Sequence, residues 1–316
     1  MNELGAPVLT VTLNPALDKT LVVERFDRGR VNRVRESRID PGGKGINVSK
    51  ILAQVGYPTV AMGFLAGVAG KHLHGLVTEM GLETDFVWVE GETRTNLKLV
   101  EMETGVGTDI NEQGPVVSPS ALDEFTSRFE ARCRTSGAVV LSGSLPLGIP
   151  ADYYRTLGFV ARDAGLLAIL DAQGEALRLG LEAQPFAVKP NLDEAAELLG
   201  TRLDSQDDAI RAAESFVSRG AKLAVISMGP VGAVAATHDS RWRIRPPEVR
   251  VVSSAGAGDA MVAGLVLGLM KGLNVEESLR LATAFAAAMV SKLGTQACGW
   301  DEIERCLPSV GIERVT

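Results

Sequence analysis

The chain has little of several things, and each shortage excludes something. Only three cysteines, Cys133, Cys298 and Cys306, occur in 316 residues. They are odd in number and lack the paired spacing of a zinc knuckle, so they read as reduced thiols of a cytoplasmic protein rather than a disulfide framework. Histidines are as scarce: His72, His74 and His238 are too scattered to build a His-based metal site. Basic charge is in deficit, with 32 Lys and Arg against 39 Asp and Glu for a net charge of -7. A nucleic-acid partner would ask for the opposite balance. Long hydrophobic runs are missing too. Met261–Met270 and Leu281–Val290 fall short of the roughly 20 residues a membrane helix needs. Val8–Leu13 is too short to be the apolar part of a secretion signal, and no basic leader precedes it. Neither low-complexity segments nor a fixed-period repeat appears. What remains is a mildly acidic chain without nucleic-acid or membrane partners, of a length that suits one large domain or a large domain with a small appendage.

Strand and helix signals alternate along most of that length. Val8–Leu13 is apolar and β-branched and stops at Asn14-Pro15, the pattern of a buried first strand. Pro41-Gly42-Gly43-Lys44-Gly45-Ile46-Asn47 opens into an amphipathic helix. Thr59–Phe64, Ala138–Leu141, Leu166–Leu170, Phe186–Val188 and Leu223–Ser227 read as further buried strands. Helices are predicted at Lys71–Met80, Pro119–Arg134, Ala151–Ala164, Asp193–Leu199 and Asp207–Ser218, and the apolar helices Ala260–Met270 and Glu276–Lys292 close the domain. Such alternation predicts βαβ units and an α/β, doubly wound, mostly parallel sheet with helices on both faces. Two stretches, about 20–40 and 93–111, break the rhythm with short polar alternation. They are expected to pair into a small projecting sheet, with Arg94, Asn96 and Lys98 on one of its faces.

In an open α/β sheet ligands collect beyond the carboxyl ends of the strands. There this chain carries Asn14 and Asp18, Gly42–Asn47, Ser142–Ser144, Asp171, Lys189–Asn191, Ser227–Gly232 and Gly256–Asp259. The last of these matters most. A Gly-x-Gly turn entering a helix leaves backbone amides unpaired at the positive end of the helix dipole, which suits a phosphate or a developing anion. Asp259 at its lip suits a base that takes a proton from a hydroxyl, although an isolated Asp there also suits a helix N-cap. A nicotinamide-dependent oxidoreductase would carry G-x-G-x-x-G directly after the first strand, where Asn14-Pro15 stands instead.

GGKGIN at 42–47 and AGAGDAMVAG at 255–264, with SGSLP at 142–146, KPNLDE at 189–194 and SMGPVGA at 227–233 between them, resemble the ribokinase-like (PfkB-type) sugar kinases along essentially the whole chain. TLNPALD at 12–18 and GETRTNLK at 91–98 resemble the hexose-phosphate branch, which contains 1-phosphofructokinase and tagatose-6-phosphate kinase. Ser254-Ala255 before the first glycine and Ala260 after the Asp depart from the family's usual residues; backbone amides make the first change harmless, while a hydroxyl near the phosphates is missing at the second.

The resemblance implies ATP-dependent transfer of a phosphoryl group to a ketohexose phosphate, fructose 1-phosphate first, then tagatose 6-phosphate or fructose 6-phosphate. It makes Asp259 the catalytic base, with Gly256, Ala257 and Gly258 cradling charge on the phosphoryl oxygens. Substrate would be held by Asp18, Gly42, Gly43, Lys44, Asn47, Ser142, Arg94 and Lys98, with Arg94 as a fork for the sugar's existing phosphate. Lys189, Asn191, Glu194, Ser227, Gly229 and Gly232 would face ATP together with Gly256 and Gly258, and Asn191 and Glu194 would hold Mg²⁺ through water or phosphate. The projecting sheet would be a lid and the contact of a homodimer. A sugar-phosphate sensor that kept the fold and lost the chemistry is the competing class; the intact Asp259, Gly256, Gly258, Asn191 and Glu194 speak against it.

Overall fold

The structure is a computed structural model that describes residues 5–292 and 297–315. Its strands, in chain order, are β1 (Val8–Thr12), β2 (Ala16–Val23), β3 (Val34–Gly42), β4 (Thr59–Ala66), β5 (Glu83–Val89), β6 (Arg94–Glu101), β7 (Gly107–Ile110), β8 (Ala138–Ser142), β9 (Leu167–Asp171), β10 (Ala187–Val188), β11 (Leu223–Ser227), β12 (Ala233–Ala236), β13 (Arg241–Arg245) and β14 (Gly311–Val315). Helices α1 (Lys44–Gln54), α2 (Gly67–Glu79), α3 (Pro119–Cys133), α4 (Tyr153–Asp163), α5 (Gly174–Gly180), α6 (Leu192–Leu199), α7 (Gln206–Ser218), α8 (Ala257–Met270), α9 (Val275–Val290) and α10 (Trp300–Cys306) connect them.

The large sheet has ten strands in the order β14-β13-β12-β11-β10-β9-β8-β1-β4-β5. From β11 to β5 all neighbours are parallel, and β12, β13 and β14 add antiparallel strands at one edge. Parallel strands need both faces covered. Phe125 and Phe129 of α3, Tyr154 of α4 and Phe216 of α7 pack one face, while Ile51 of α1, Leu265 of α8, Phe285 of α9 and Ile303 of α10 pack the other. Among the described residues no helix is long and apolar enough to cross a membrane.

A separate four-stranded sheet, in the order β3-β2-β6-β7, carries the two stretches that break the alternation. β2 and β6 run parallel with Asp18 opposite Asn96, and β3 lies antiparallel to β2 with Asp40 opposite Asp18.

Several elements differ from the sequence reading. β5, α5, α10 and β14 carry weak periodicity and were not expected; β14 and α10 follow α9, so the two apolar helices do not close the domain. Helix α2 begins at Gly67, four residues before the first strongly helical residue pattern. Asp18 lies inside a strand rather than in a loop after one.

Candidate active site

Gly256 caps α8 at φ 77°, a left-handed conformation that glycine adopts without strain, and so turns the chain sharply into the helix. Ala257 donates to Ser254 O, whereas the amides of Gly258 and Asp259 have no backbone partner among the described residues. These are the forward-pointing donors that helix geometry leaves over. Asp259 is the third helical residue and makes no capping bond. Its carboxylate instead receives Asn47 Nδ2 at Oδ2 across 2.8 Å, in a setting where the residue is 8% exposed. Burial first, and the neighbouring Asp171 carboxylate second, push its pKa up to about 6; Asn47, Lys44 and Lys189 pull the other way. The capping alternative is thereby set aside.

Asn47 comes from α1, which Gly43 caps. Positions three apart on a helix share a face, which aligns Lys44, Asn47 and Lys50. Lys44 Nζ meets Asp171 Oδ1 at 3.0 Å and Glu194 Oε1 at 3.5 Å. Burial alone would lower its pKa; Asp171 and Glu194 outweigh burial and hold the ammonium charged well above the usual lysine range. Lys189, 4% exposed at the end of β10, stands 3.7 Å from the same Asp171 oxygen. A Cβ placed on Gly258 would sit 3.3 Å from Lys189 Nζ, so this ammonium faces the amide cradle directly.

Asn191 and Glu194 close a capping box at the start of α6: Glu194 N donates to Asn191 Oδ1 (2.8 Å) and Asn191 N to Glu194 Oε2 (2.9 Å). Only Glu194 Oε1 is left facing Lys44. Ser227 ends β11 beside it, its amide donating to Pro190 O, and Gly229 and Gly232 shape the short 3₁₀ turn that follows.

On the small sheet Asp18 accepts from Asn96 Nδ2 at 2.9 Å. Burial raises the Asp18 pKa against the opposing pull of that bond and of Lys50 and Arg94. Gly42 packs so closely here that a Cβ on it would fall on the Asp18 carboxylate. Arg94 gives Nε and Nη2 to the Asn14 carbonyl at 3.1 and 2.8 Å and Nη1 to the Glu112 carbonyl at 3.5 Å. Its fork is therefore largely engaged by backbone. Lys98 lies four residues beyond Arg94 along β6 and is half-buried.

One expected substrate contact is misplaced. Ser142 is fully buried, and its hydroxyl donates to Val11 O at 3.4 Å, joining β8 to β1 instead of opening on the site. The Ala-rich segment of α9 belongs to the core: Ala282, Ala284, Ala287 and Ala288 are buried. Conversely, Asp171, read from sequence only as one of the strand-end residues, and Lys50, not singled out at all, are both close to the base. The signals were present: Asp171 ends a buried strand, and Lys50 follows Asn47 by three residues on a helix.

The profile of the pfkB family carbohydrate kinases matches residues 12–302. The chain belongs to this family. The kinase is 42% identical over 289 residues to the 1-phosphofructokinase of Xanthomonas campestris, covering 90% of this chain and 91% of that one. To the 1-phosphofructokinase of Bacillus subtilis it is 36% identical over 310 residues, 98% of this chain and all of the other. A crystal structure described as a possible 1-phosphofructokinase from Thermotoga maritima superposes with a TM-score of 0.90 at 34% identity, over 98% of this kinase and 99% of that chain. Similarity at this level over the whole length makes the protein a phosphotransferase and removes both the oxidoreductase and the non-enzymatic reading.

Proposed function

We propose that this kinase transfers the terminal phosphoryl group of ATP to a ketohexose phosphate, fructose 1-phosphate before tagatose 6-phosphate or fructose 6-phosphate. The supporting observation is the Asp259 carboxylate: buried, clear of any capping bond, bound to Asn47, and set at the mouth of unpaired amides with Lys189 in front of them. Phosphoryl transfer asks little of the protein beyond positioning and charge neutralisation. Asp259 takes the proton of the attacking sugar hydroxyl as its oxygen bonds to the γ-phosphorus, and the bond to the bridging oxygen breaks to release ADP. The Gly258 and Asp259 amides and Lys189 stabilise negative charge on the transferred oxygens. Asp18, steadied by Asn96, and the glycine turn at Gly42-Gly43 receive the sugar, and Arg94, with Lys98 further out, faces its existing phosphate.

Magnesium suits these residues only at second hand. Glu194 and Asn191 spend most of their oxygens on each other and on Lys44. They would hold a hydrated Mg²⁺ through water and substrate phosphates, as this ion prefers. The ion supplies charge neutralisation on the phosphate oxygens.

The small sheet serves as a lid that keeps water from the phosphoryl group. Its outer row Ile39–Lys19–Leu97–Ile110, with Ile39 and Ile110 exposed, supports a homodimer formed through it. The composition fits action in the cytoplasm. Measuring kcat/KM for the three sugar phosphates with saturating ATP tests the assignment: fructose 1-phosphate should lead, and a preference for either 6-phosphate would overturn the choice of sugar.

A further inference from the structure

Lys50 lies on α1 one turn beyond Asn47, behind the Asn47 amide. It is 9% exposed, and its Nζ donates to Asn47 Oδ1 at 3.1 Å and to Pro41 O at 3.2 Å. A buried ammonium is costly unless it is paired and bonded, and burial does lower its pKa, against the pull of Asp40, Asp18 and Asp259. A neutral, apolar residue would fill this core position at less cost, so the charge has a use.

That use follows from the chemistry of an amide. The Asn47 side chain carries an acceptor at one end and two donors at the other, and the two ends have nearly the same shape. Packing alone therefore does not choose between its two orientations. An ammonium does, because it only donates. With Nζ on one side of Asn47, Oδ1 must face Lys50 and Nδ2 is left for Asp259 Oδ2, 2.8 Å away. The flipped amide would set donor against donor at Lys50 and oxygen against oxygen at Asp259. The same ammonium ties down Pro41 O, the carbonyl just before the Gly42-Gly43 turn. One buried charge thus joins the sugar-side turn, helix α1 and, through Asn47, the first turn of α8.

We propose that Lys50 is a positioning residue for phosphoryl transfer, which orients the Asn47 amide and thereby aims the Asp259 carboxylate. The inference rests on Asp259 being the base.

The test is a double-mutant cycle on the full-length kinase with ATP and fructose 1-phosphate. Lys50→Met should lower kcat about 100-fold, the scale of a slightly misplaced catalytic group, with the KM for ATP unchanged. Lys50→Arg, which keeps a charged donor, should recover most of the loss. Asn47→Ala should be similarly impaired, and adding Lys50→Met to it should cost little more, because residues acting as one unit are non-additive. Wild-type kcat in a folded Lys50→Met protein overturns the proposal. So do losses that multiply fully in the double variant, or a loss confined to the KM for sugar, which would mean that Lys50 acts only through the glycine turn. Should Lys50→Met melt out, Lys50→Gln replaces it: a neutral amide can also accept, so it no longer dictates the Asn47 orientation, and wild-type kcat in that variant overturns the proposal equally. Asp259→Asn is measured alongside. If it turns over normally, the base assignment falls and this inference with it; if it is inactive while Lys50→Met is normal, only the role of Lys50 falls.

Discussion

Asn47 donates Nδ2 to the Asp259 carboxylate across 2.8 Å although 212 positions separate them. Helices α1 and α8 start side by side on one face of the large sheet, so the first turn of one delivers an amide to the first turn of the other. This contact ties the sugar-side turn to the phosphate-side turn, the two halves a kinase has to hold in line.

Activity should follow the ionisation of Asp259. Its pKa of about 6 predicts that kcat/KM for the sugar phosphate falls about tenfold per pH unit below that value and levels off above it. Lys44 is one of the cations that hold the value down. Lys44→Met should therefore move the acid limb to higher pH. A limb in the ordinary aspartate range, or one that Lys44→Met leaves in place, would show that another group titrates.

Asp259→Asn should lose most turnover, on the order of 10²- to 10⁴-fold for a general base, and gain stability. An acid whose pKa is raised in the folded state favours folding fully only below its unfolded value near 3.8, and that contribution disappears as pH rises through about 6. The upper bound at neutral pH is about 3 kcal/mol. Melting curves of the two proteins should therefore coincide near pH 3.5 and separate by pH 7, with the variant higher. A variant that melts lower at pH 7 contradicts this account of the buried carboxylate.

Gly42→Ala should damage sugar binding out of proportion to its size. Its Cβ would fall on the Asp18 carboxylate, so Asp18 has to leave Asn96 or the β3–α1 turn has to move. Kinetics should show a KM for sugar phosphate raised about tenfold or more, as expected for the loss of a hydrogen bond to a charged group, with the KM for ATP near wild type. Equal increases in both constants would point to general unfolding of α1 instead.

Arg94→Ala should raise the KM for sugar phosphate by about 10- to 100-fold, the scale of one charged hydrogen bond, and lower kcat much less. A modest drop in melting temperature should accompany it, because Arg94 also braces the Asn14 carbonyl. An unchanged KM would mean that the bracing is its whole role and that Lys98 or another cation meets the phosphate.

The parallel sheet was legible because strands buried on both faces are apolar throughout, and the small sheet because its polar alternation breaks that pattern. β14 and α10 were not: five and seven residues of mixed character carry too little periodicity to stand out. Ser142 illustrates a different failure. It sits in the right motif at the right strand end, yet the last residue of β8 points its hydroxyl at β1, and side-chain direction at a strand end depends on the neighbouring strand.

By itself the sequence determined whatever depends on neighbouring residues: the glycine turns, the unpaired amides entering α8, the capping box of Asn191 and Glu194, and a carboxylate at the cradle. Those follow from backbone geometry within a few positions. Only the tertiary structure decided how that carboxylate is held. Its burial, its Asn47 partner, the opposing charges of Asp171, Lys44 and Lys189, and the ammonium of Lys50 behind the amide come from elements far apart in the chain. Packing α1 and α8 on one face of the sheet brings them together, and burial makes their charges matter.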